Sequence, residues 1–223
     1  MRYDLIVRGL EAYRKQSNIL QNDMAEYLNI TQSQYSKLEL GKTKISYDVL
    51  SKLYKRGCDI DMLITGEGTN AILPSLEKIY VESDVQRFNS WLKLCEWAME
   101  HWIEEDGKEE QIGSKLLKIF VHADTDMTPL EKLRKAYGVS QQQMADTIGV
   151  NIKKYRQLEK GNILLDAELM ANIYEATKCK PSYFMNENGY YLSVISEECR
   201  YGQNREEHLK DLLSIQEKFE ETD

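Results

Sequence analysis

Two stretches of the chain show the same pattern of apolar and polar positions. In residues 20–41, apolar side chains recur at the i, i+1, i+4 spacing of one helix face, and after a break they resume on a second helix. These positions are Met24, Ala25, Leu28, Tyr35 and Leu38. Residues 140–161 repeat the pattern 120 positions later. Each stretch therefore predicts two short helices joined by a turn.

The two stretches are copies of one sequence module. Of the 22 aligned positions, 7 are identical without a gap. The identical pairs are Gln21/Gln141, Met24/Met144, Ala25/Ala145, Tyr35/Tyr155, Leu38/Leu158, Glu39/Glu159 and Gly41/Gly161. Further along, the register shifts by one residue and pairs Cys58 with Cys179. We infer two copies of a module of about 60 residues each.

Residues that favour turns and caps stand between the paired helices. Asn29 and Gly149 occupy the break, and these residue types most readily adopt the left-handed conformation of a turn. Thr31 and Asn151 follow as favourable N-cap residues, and Thr31 with Gln34 has the spacing of a capping box. Two short helices joined by such a turn predict a helix-turn-helix.

These residues resemble the lambda-repressor and Cro-like, or Xre-type, helix-turn-helix domains, which are five-helix DNA-binding modules of bacterial and phage regulators. In that family a Gln opens the first helix of the motif, an Ala follows four residues later, and Glu-x-Gly closes the second helix. The matching residues are Gln21, Ala25, Glu39 and Gly41 in the first copy, and Gln141, Ala145, Glu159 and Gly161 in the second. An Arg on an earlier helix commonly pairs with that Glu, and Arg14 and Arg134 stand in its place.

The resemblance implies an all-α fold with two five-helix Xre-type domains, at residues 1–68 and 128–189. Residues 69–127 lie between them as an acidic helical connector, since their apolar residues fall at helical spacings. Residues 190–223 form an acidic tail with a C-terminal helix.

In such domains the second helix of the motif is the recognition helix, which enters the major groove. We expect DNA contacts from side chains of both copies. They are Gln32, Ser33, Gln34, Lys37, Lys42 and Lys44 in the first copy, and Lys153, Lys154, Arg156 and Gln157 in the second. Gln21 and Gln141 open the preceding helices, where each either clamps a phosphate or braces the recognition helix. The copies differ after this helix, because residues 162–165 read Asn-Ile-Leu-Leu where the first copy has a basic turn.

The net charge of −8 does not exclude nucleic acid, because the charged residues are unevenly distributed. Residues 1–68 and 128–186 have net charges of +1 and +3, whereas residues 69–127 and 187–223 have −6 each. The two copies of the module are therefore the near-neutral to basic parts of the chain. A local basic face is what phosphate binding requires.

Other classes of protein lack support in the sequence. The four cysteines lie far apart with no C-x-x-C pair, which predicts neither a disulfide framework nor a metal site. The three histidines lie on different segments without a known catalytic motif, so we expect no enzyme and no cofactor. No apolar run is long enough to span a membrane and no signal-peptide pattern opens the chain, which predicts a cytoplasmic location.

Double-stranded DNA is accordingly the expected partner, and a transcriptional regulator, in particular a repressor, is the expected function. The apolar residues Leu209, Leu212, Leu213 and Phe219 of the tail predict a helix that needs a partner. We expect a homodimer through this helix. Participation of the connector in the dimer and a single-chain pseudo-dimer are alternatives that the sequence leaves open. The alternative function is a protein-interaction module, such as an antitoxin or accessory subunit, in which one or both helix-turn-helix domains bind protein.

Overall fold

A computed structural model describes residues 3–122, 126–201 and 204–220. These residues are helical without a strand among them, which confirms the predicted all-α fold. The α-helices are, in chain order, α1 (Tyr3–Gln16), α2 (Gln21–Leu28), α3 (Gln32–Glu39), α4 (Tyr47–Lys55), α5 (Ile60–Thr65), α6 (Pro74–Glu82), α7 (Val85–Glu105), α8 (Ile112–His122), α9 (Pro129–Ala136), α10 (Gln141–Thr147), α11 (Ile152–Glu159), α12 (Ala167–Thr177), α13 (Glu187–Tyr201) and α14 (Arg205–Glu220). A 3₁₀ helix comprises Pro181–Phe184.

Local caps delimit the two helices of the first motif. Asn29 has φ 56° and ψ 46°, the left-handed conformation predicted for the turn that ends α2. The hydroxyl of Thr31 accepts a hydrogen bond from the backbone N–H of Gln34 at 3.2 Å, and the Gln34 side chain accepts one from the N–H of Thr31 at 2.8 Å. This predicted capping box is confirmed, and it fixes where α3 begins.

The second motif uses the same devices at the matched positions. Gly149 has φ 74° in the turn, and the Asn151 side chain accepts a hydrogen bond from the backbone N–H of Lys154 at 2.8 Å at the start of α11. The copies differ at the start of the first motif helix, where Ser140 and Gln143 form a capping box but Leu20 offers no side-chain cap. The apolar residues that predicted the first motif are all buried: Met24, Ala25, Leu28, Tyr35 and Leu38.

The fifth helix of each copy takes a different form. The first copy contains the five α-helices that the resemblance implies, α1 to α5. In the second copy, α9 to α12 are followed by the 3₁₀ helix Pro181–Phe184 in the place of a fifth α-helix. This segment has only four residues and begins with a proline, and such short lengths favour 3₁₀ geometry.

The chain folds into two compact units. Unit 1 comprises Met1–Thr69 and Val139–Met185, and unit 2 comprises Asn70–Gly138 and Asn186–Asp223. Both helix-turn-helix motifs therefore lie in unit 1. Because these units do not follow the predicted segments one by one, the predicted domain boundaries stay predictions.

Helix α9 illustrates the difference between the units and the predicted segments. The sequence assigns it to the second copy, yet it belongs to unit 2. There it packs against α8, and the Nζ of Lys132 lies 2.9 Å from the Glu187 carboxylate and 4.9 Å from the centre of the Phe120 ring. Lys132 is itself buried, so this ion pair anchors α9 to its neighbours in unit 2.

Within unit 1, the two copies contact each other at equivalent positions of the repeat. The fully buried Asp61 carboxylate accepts hydrogen bonds from the backbone N–H and the hydroxyl of Ser182, both at 2.7 Å, and from the hydroxyl of Thr69 at 2.8 Å. Asp61 and Ser182 are 121 residues apart, the same offset that pairs the matched cysteines. Contact between equivalent residues is typical of an axis of twofold symmetry.

Unit 2 buries most of the apolar residues that the sequence places in the connector and tail. In α7 these include Phe88, Trp91, Leu92, Cys95, Met99 and Trp102. Helix α14 packs against α7 and α13 and buries Leu212 fully, while Leu209 and Leu213 stay 37% and 41% exposed. Across the described ranges, the helices are each too short or too polar to cross a membrane.

Candidate nucleic-acid interface

A buried carboxylate holds the recognition helix of the first copy. The Oε1 atom of Glu39 accepts a hydrogen bond from the Nε of Arg14, and its Oε2 accepts one from the Nε2 of Gln21, both at 2.6 Å. The Oε1 of Gln21 in turn accepts a hydrogen bond from the Nε2 of Gln32 at 3.1 Å. The predicted Arg14–Glu39 pair is thus confirmed, and one network joins α1, α2 and α3.

The charge of Glu39 follows from this network. Burial alone would raise the pKa of Glu39, but the hydrogen bonds from Arg14 and Gln21 outweigh burial and lower the pKa below its ordinary value. The network also raises the pKa of Arg14, chiefly through its hydrogen bond to Glu39. Both side chains are therefore charged at neutral pH and orient α3 through an ion pair.

The second copy contains a related network around Glu159. The Nε2 of Gln141 donates a hydrogen bond to the buried Glu159, and the Nε of Arg156 donates one to the Oε1 of Gln141 at 3.4 Å. Both polar atoms of Gln21 and of Gln141 thus have partners within the protein. Of the two roles that the sequence leaves open, this geometry favours the brace over the phosphate clamp.

The first recognition helix presents an exposed polar surface. Gln32, Ser33, Gln34, Lys37, Lys42 and Lys44 are all exposed. Three of them have protein partners within the described residues. The Nε2 of Gln32 donates a hydrogen bond to Gln21, the Oε1 of Gln34 belongs to the capping box, and Lys44 forms an ion pair with Glu168 of the second copy. Ser33, Lys37 and Lys42 therefore form the part of the predicted set that is best placed to contact DNA, and Gln32 lies exposed beside them at the start of α3.

The second recognition helix is more basic, but an apolar turn follows it. Lys153, Arg156 and Gln157 are exposed and Lys154 is half-buried. The Oε1 of Gln157 accepts a hydrogen bond from Asn162 at 2.8 Å. Where the first copy has its basic turn, Ile163 and Leu164 are 43% and 57% exposed. The two recognition helices thus present different chemistry.

Comparison with known families agrees with this geometry. A helix-turn-helix family model matches residues 10–55, which include α2 and α3. A second model, of a helix-turn-helix domain, matches residues 129–190, which include α10 and α11. The chain carries two tandem helix-turn-helix domains. No curated protein and no solved structure has significant similarity to the chain.

The sequence did not reveal how the two helix-turn-helix domains contact each other. Besides Asp61 and Ser182, the hydroxyl of Tyr47 donates a hydrogen bond to the carbonyl of Phe184 at 3.0 Å. The backbone N–H of Ala167 donates one to the carbonyl of Ile45, also at 3.0 Å. The repeat offset shows which positions are equivalent, but a one-dimensional pattern does not indicate which faces meet.

Proposed function

We propose that this protein is a sequence-specific transcriptional repressor of a bacterium, phage or mobile element, and that it binds double-stranded DNA through both helix-turn-helix domains. The observation that carries the proposal is the pair of exposed, unlike recognition helices, α3 and α11, within one compact unit. Each is braced from behind by a glutamine and a buried glutamate. Such bracing pre-orients the side chains that contact base edges.

The charge distribution supports the same proposal. Unit 1 contains 16 basic and 14 acidic side chains, whereas unit 2 contains 13 basic and 23 acidic ones. The net charges are therefore +2 and −10, and the acidity of the whole chain resides in unit 2. Phosphate binding depends on the local field of the surface that meets DNA, so an acidic chain is compatible with a DNA-binding unit 1.

The contact between equivalent residues supports a proposal on how many chains bind one operator. Single-domain relatives place two identical recognition helices in successive major grooves by forming a twofold dimer. Here Asp61 and Ser182 meet as residues on a twofold axis do, although they belong to one chain. We infer that one chain is sufficient to bind a whole operator, and we call this arrangement a single-chain reader. Its operator should then have two half-sites of different sequence.

Binding should depend strongly on salt despite the acidic chain. The full protein is used to select a duplex from a random-sequence pool, and the affinity is then measured against salt concentration. Each neutralised phosphate contributes about −0.9 to the slope of log K against log salt, so Lys42→Ala should make the slope shallower by about 0.9. The control is Lys55→Ala, because Lys55 is an exposed lysine outside both motifs. A wild-type affinity that is independent of salt would exclude DNA as the main partner.

One chain should bind each operator. Titrating the protein into a selected duplex of about 30 base pairs, well above the dissociation constant, should reach equivalence at one chain per duplex. The homodimer that the sequence predicts, through the tail helix with the connector as a further contact, gives the opposite result of two chains per duplex. In the described part of the tail, the apolar residues Leu209 and Leu213 stay exposed and are available for such a contact. A stoichiometry of two would contradict the single-chain reader, and its fall to one in a Leu209→Asp, Leu213→Asp variant would assign the contact between chains to the tail helix.

One observation favours a second function for the second helix-turn-helix domain. Ile163 and Leu164 are exposed beside its recognition helix, where a phosphate-binding turn would be basic. Exposed apolar side chains beside a polar helix suit a protein partner better than a phosphate backbone. In this alternative only the first domain binds DNA, and a footprint would cover a single half-site.

A further inference from the structure

Unit 2 contains a buried histidine whose ring nitrogens have no hydrogen-bond partner in the described part of the chain. His208 on α14 has no exposed surface, and neither Nδ1 nor Nε2 is hydrogen-bonded. Its ring stacks on Trp102 with centroids 4.8 Å apart, and the Nε1 of Trp102 donates a hydrogen bond to Asp211 at 3.0 Å. The imidazole is therefore held in one orientation, although burial without a partner is unfavourable for a polar group.

Two carboxylates lie next to this imidazole. Ligand atoms of Asp106, Glu198 and His208 all lie within 4.8 Å of one another. The Asp106 side chain is fully buried, and that of Glu198 is 15% exposed. The Nζ of Lys108 lies 2.9 Å from the Oδ2 of Asp106 and 2.5 Å from the Oε1 of Glu198. A cation is thus already bound between the two carboxylates, in the form of a lysine that is 30% exposed.

We propose that Asp106, Glu198 and His208 form a binding site for a divalent transition-metal ion, with Lys108 as the group that the ion displaces. The ammonium group of Lys108 compensates only one of the two carboxylate charges, and the ring nitrogens of His208 stay without a hydrogen bond. A divalent ion would compensate both charges and ligate a ring nitrogen, while Lys108 moved into water. The proposal departs from the sequence prediction, which expected no metal site.

The donor set indicates the class of ion. One imidazole and two carboxylates suit Zn²⁺ or Mn²⁺ better than Mg²⁺ or Ca²⁺, which prefer oxygen ligands alone. Metal–ligand distances of about 2.0–2.2 Å require the three ligand atoms to approach one another by about 1 Å. Because the ligands come from the ends of α7, α13 and α14, the ion would fasten α14 to the rest of unit 2. This inference does not depend on DNA binding.

The test is calorimetric titration of the full chain with Zn²⁺, together with the d–d absorption of bound Co²⁺. We expect one Zn²⁺ per chain and an increase in the thermal midpoint on binding. His208→Gln should weaken Zn²⁺ binding about tenfold or more and remove the absorption of imidazole-ligated Co²⁺. Lys108→Gln should tighten binding about tenfold, because it removes the competing ammonium group.

Two further variants keep the test decisive. His101→Gln controls for chelation at the surface, because His101 is an exposed histidine 3.3 Å from Glu105 on α7, and it should leave Zn²⁺ binding unchanged. Glu198→Gln removes one ligand at a less buried position, in case His208→Gln reduces the helix content. If Zn²⁺ does not bind, or binds equally well to His208→Gln and Glu198→Gln, the proposal is wrong and His208 is only a packing residue.

Discussion

Gln32→Ala and Lys153→Ala are expected to weaken binding at different half-sites of one operator. Each residue is exposed on its own recognition helix, α3 or α11, and neither caps its helix. Gln32 also donates a hydrogen bond to Gln21, which Glu39 still holds when Gln32 is replaced. Loss of one bidentate base contact costs about 1–3 kcal/mol, which is about 5-fold to 150-fold in affinity. Footprinting of both variants on a selected duplex measures where the protection is lost.

The control for this experiment is again Lys55→Ala, which removes a positive charge outside both motifs. It should leave the protection of both half-sites intact. Protection lost over the same bases in both variants would contradict two separate readers. Full protection in Lys153→Ala combined with loss in Gln32→Ala would favour the alternative in which the second helix-turn-helix domain binds protein.

Much of unit 1 was predictable because its signals are local. The break at Asn29, the capping box of Thr31 and the matched positions of the repeat each depend on residues within one or two helical turns. The Arg14–Glu39 pair was predictable only through the family resemblance, since 25 residues separate its members. Helix α9 shows where this reasoning fails, because its packing in unit 2 depends on Glu187, which is distant in sequence.

The network around the recognition helices was only partly predictable. The sequence identified Gln21 and Gln141 but did not distinguish a brace from a phosphate clamp. That choice depends on whether the amide points at a buried glutamate, which requires the three-dimensional arrangement of the helices. The spacing of the tail indicated an amphipathic helix around Leu212, yet it did not indicate that its apolar face packs within unit 2.

Asp61→Ala should cause the largest loss of stability, because the buried Asp61 carboxylate accepts two hydrogen bonds from Ser182 across the contact between the two domains. Its removal leaves the backbone N–H and hydroxyl of Ser182 without their buried acceptor, and Thr69 loses one partner. At about 1–3 kcal/mol for each unsatisfied buried group, we expect a decrease of about 2–4 kcal/mol in the free energy of unfolding. Urea unfolding followed by far-ultraviolet circular dichroism measures this change, and hydrogen exchange at the Ser182 amide locates it.

Asp61→Asn is the matched control, because its side-chain oxygen can still accept a hydrogen bond from the backbone N–H of Ser182. Burial raises the pKa of Asp61, despite the hydrogen bonds from Ser182 and Thr69 that lower it, so the fold favours the uncharged form. Asp61→Asn should therefore lower the free energy of unfolding at neutral pH by less than about 1 kcal/mol, because the hydrogen bond from Ser182 is retained.

A carboxyl group with a raised pKa in the folded state contributes stability at low pH that is lost as the pH rises through that pKa. The wild type should accordingly gain stability relative to Asp61→Asn as the pH falls.

If Asp61→Ala instead matches the wild type in both its free energy of unfolding and the hydrogen exchange of the Ser182 amide, the two domains are not held together at Asp61. The single-chain reader then loses its main support.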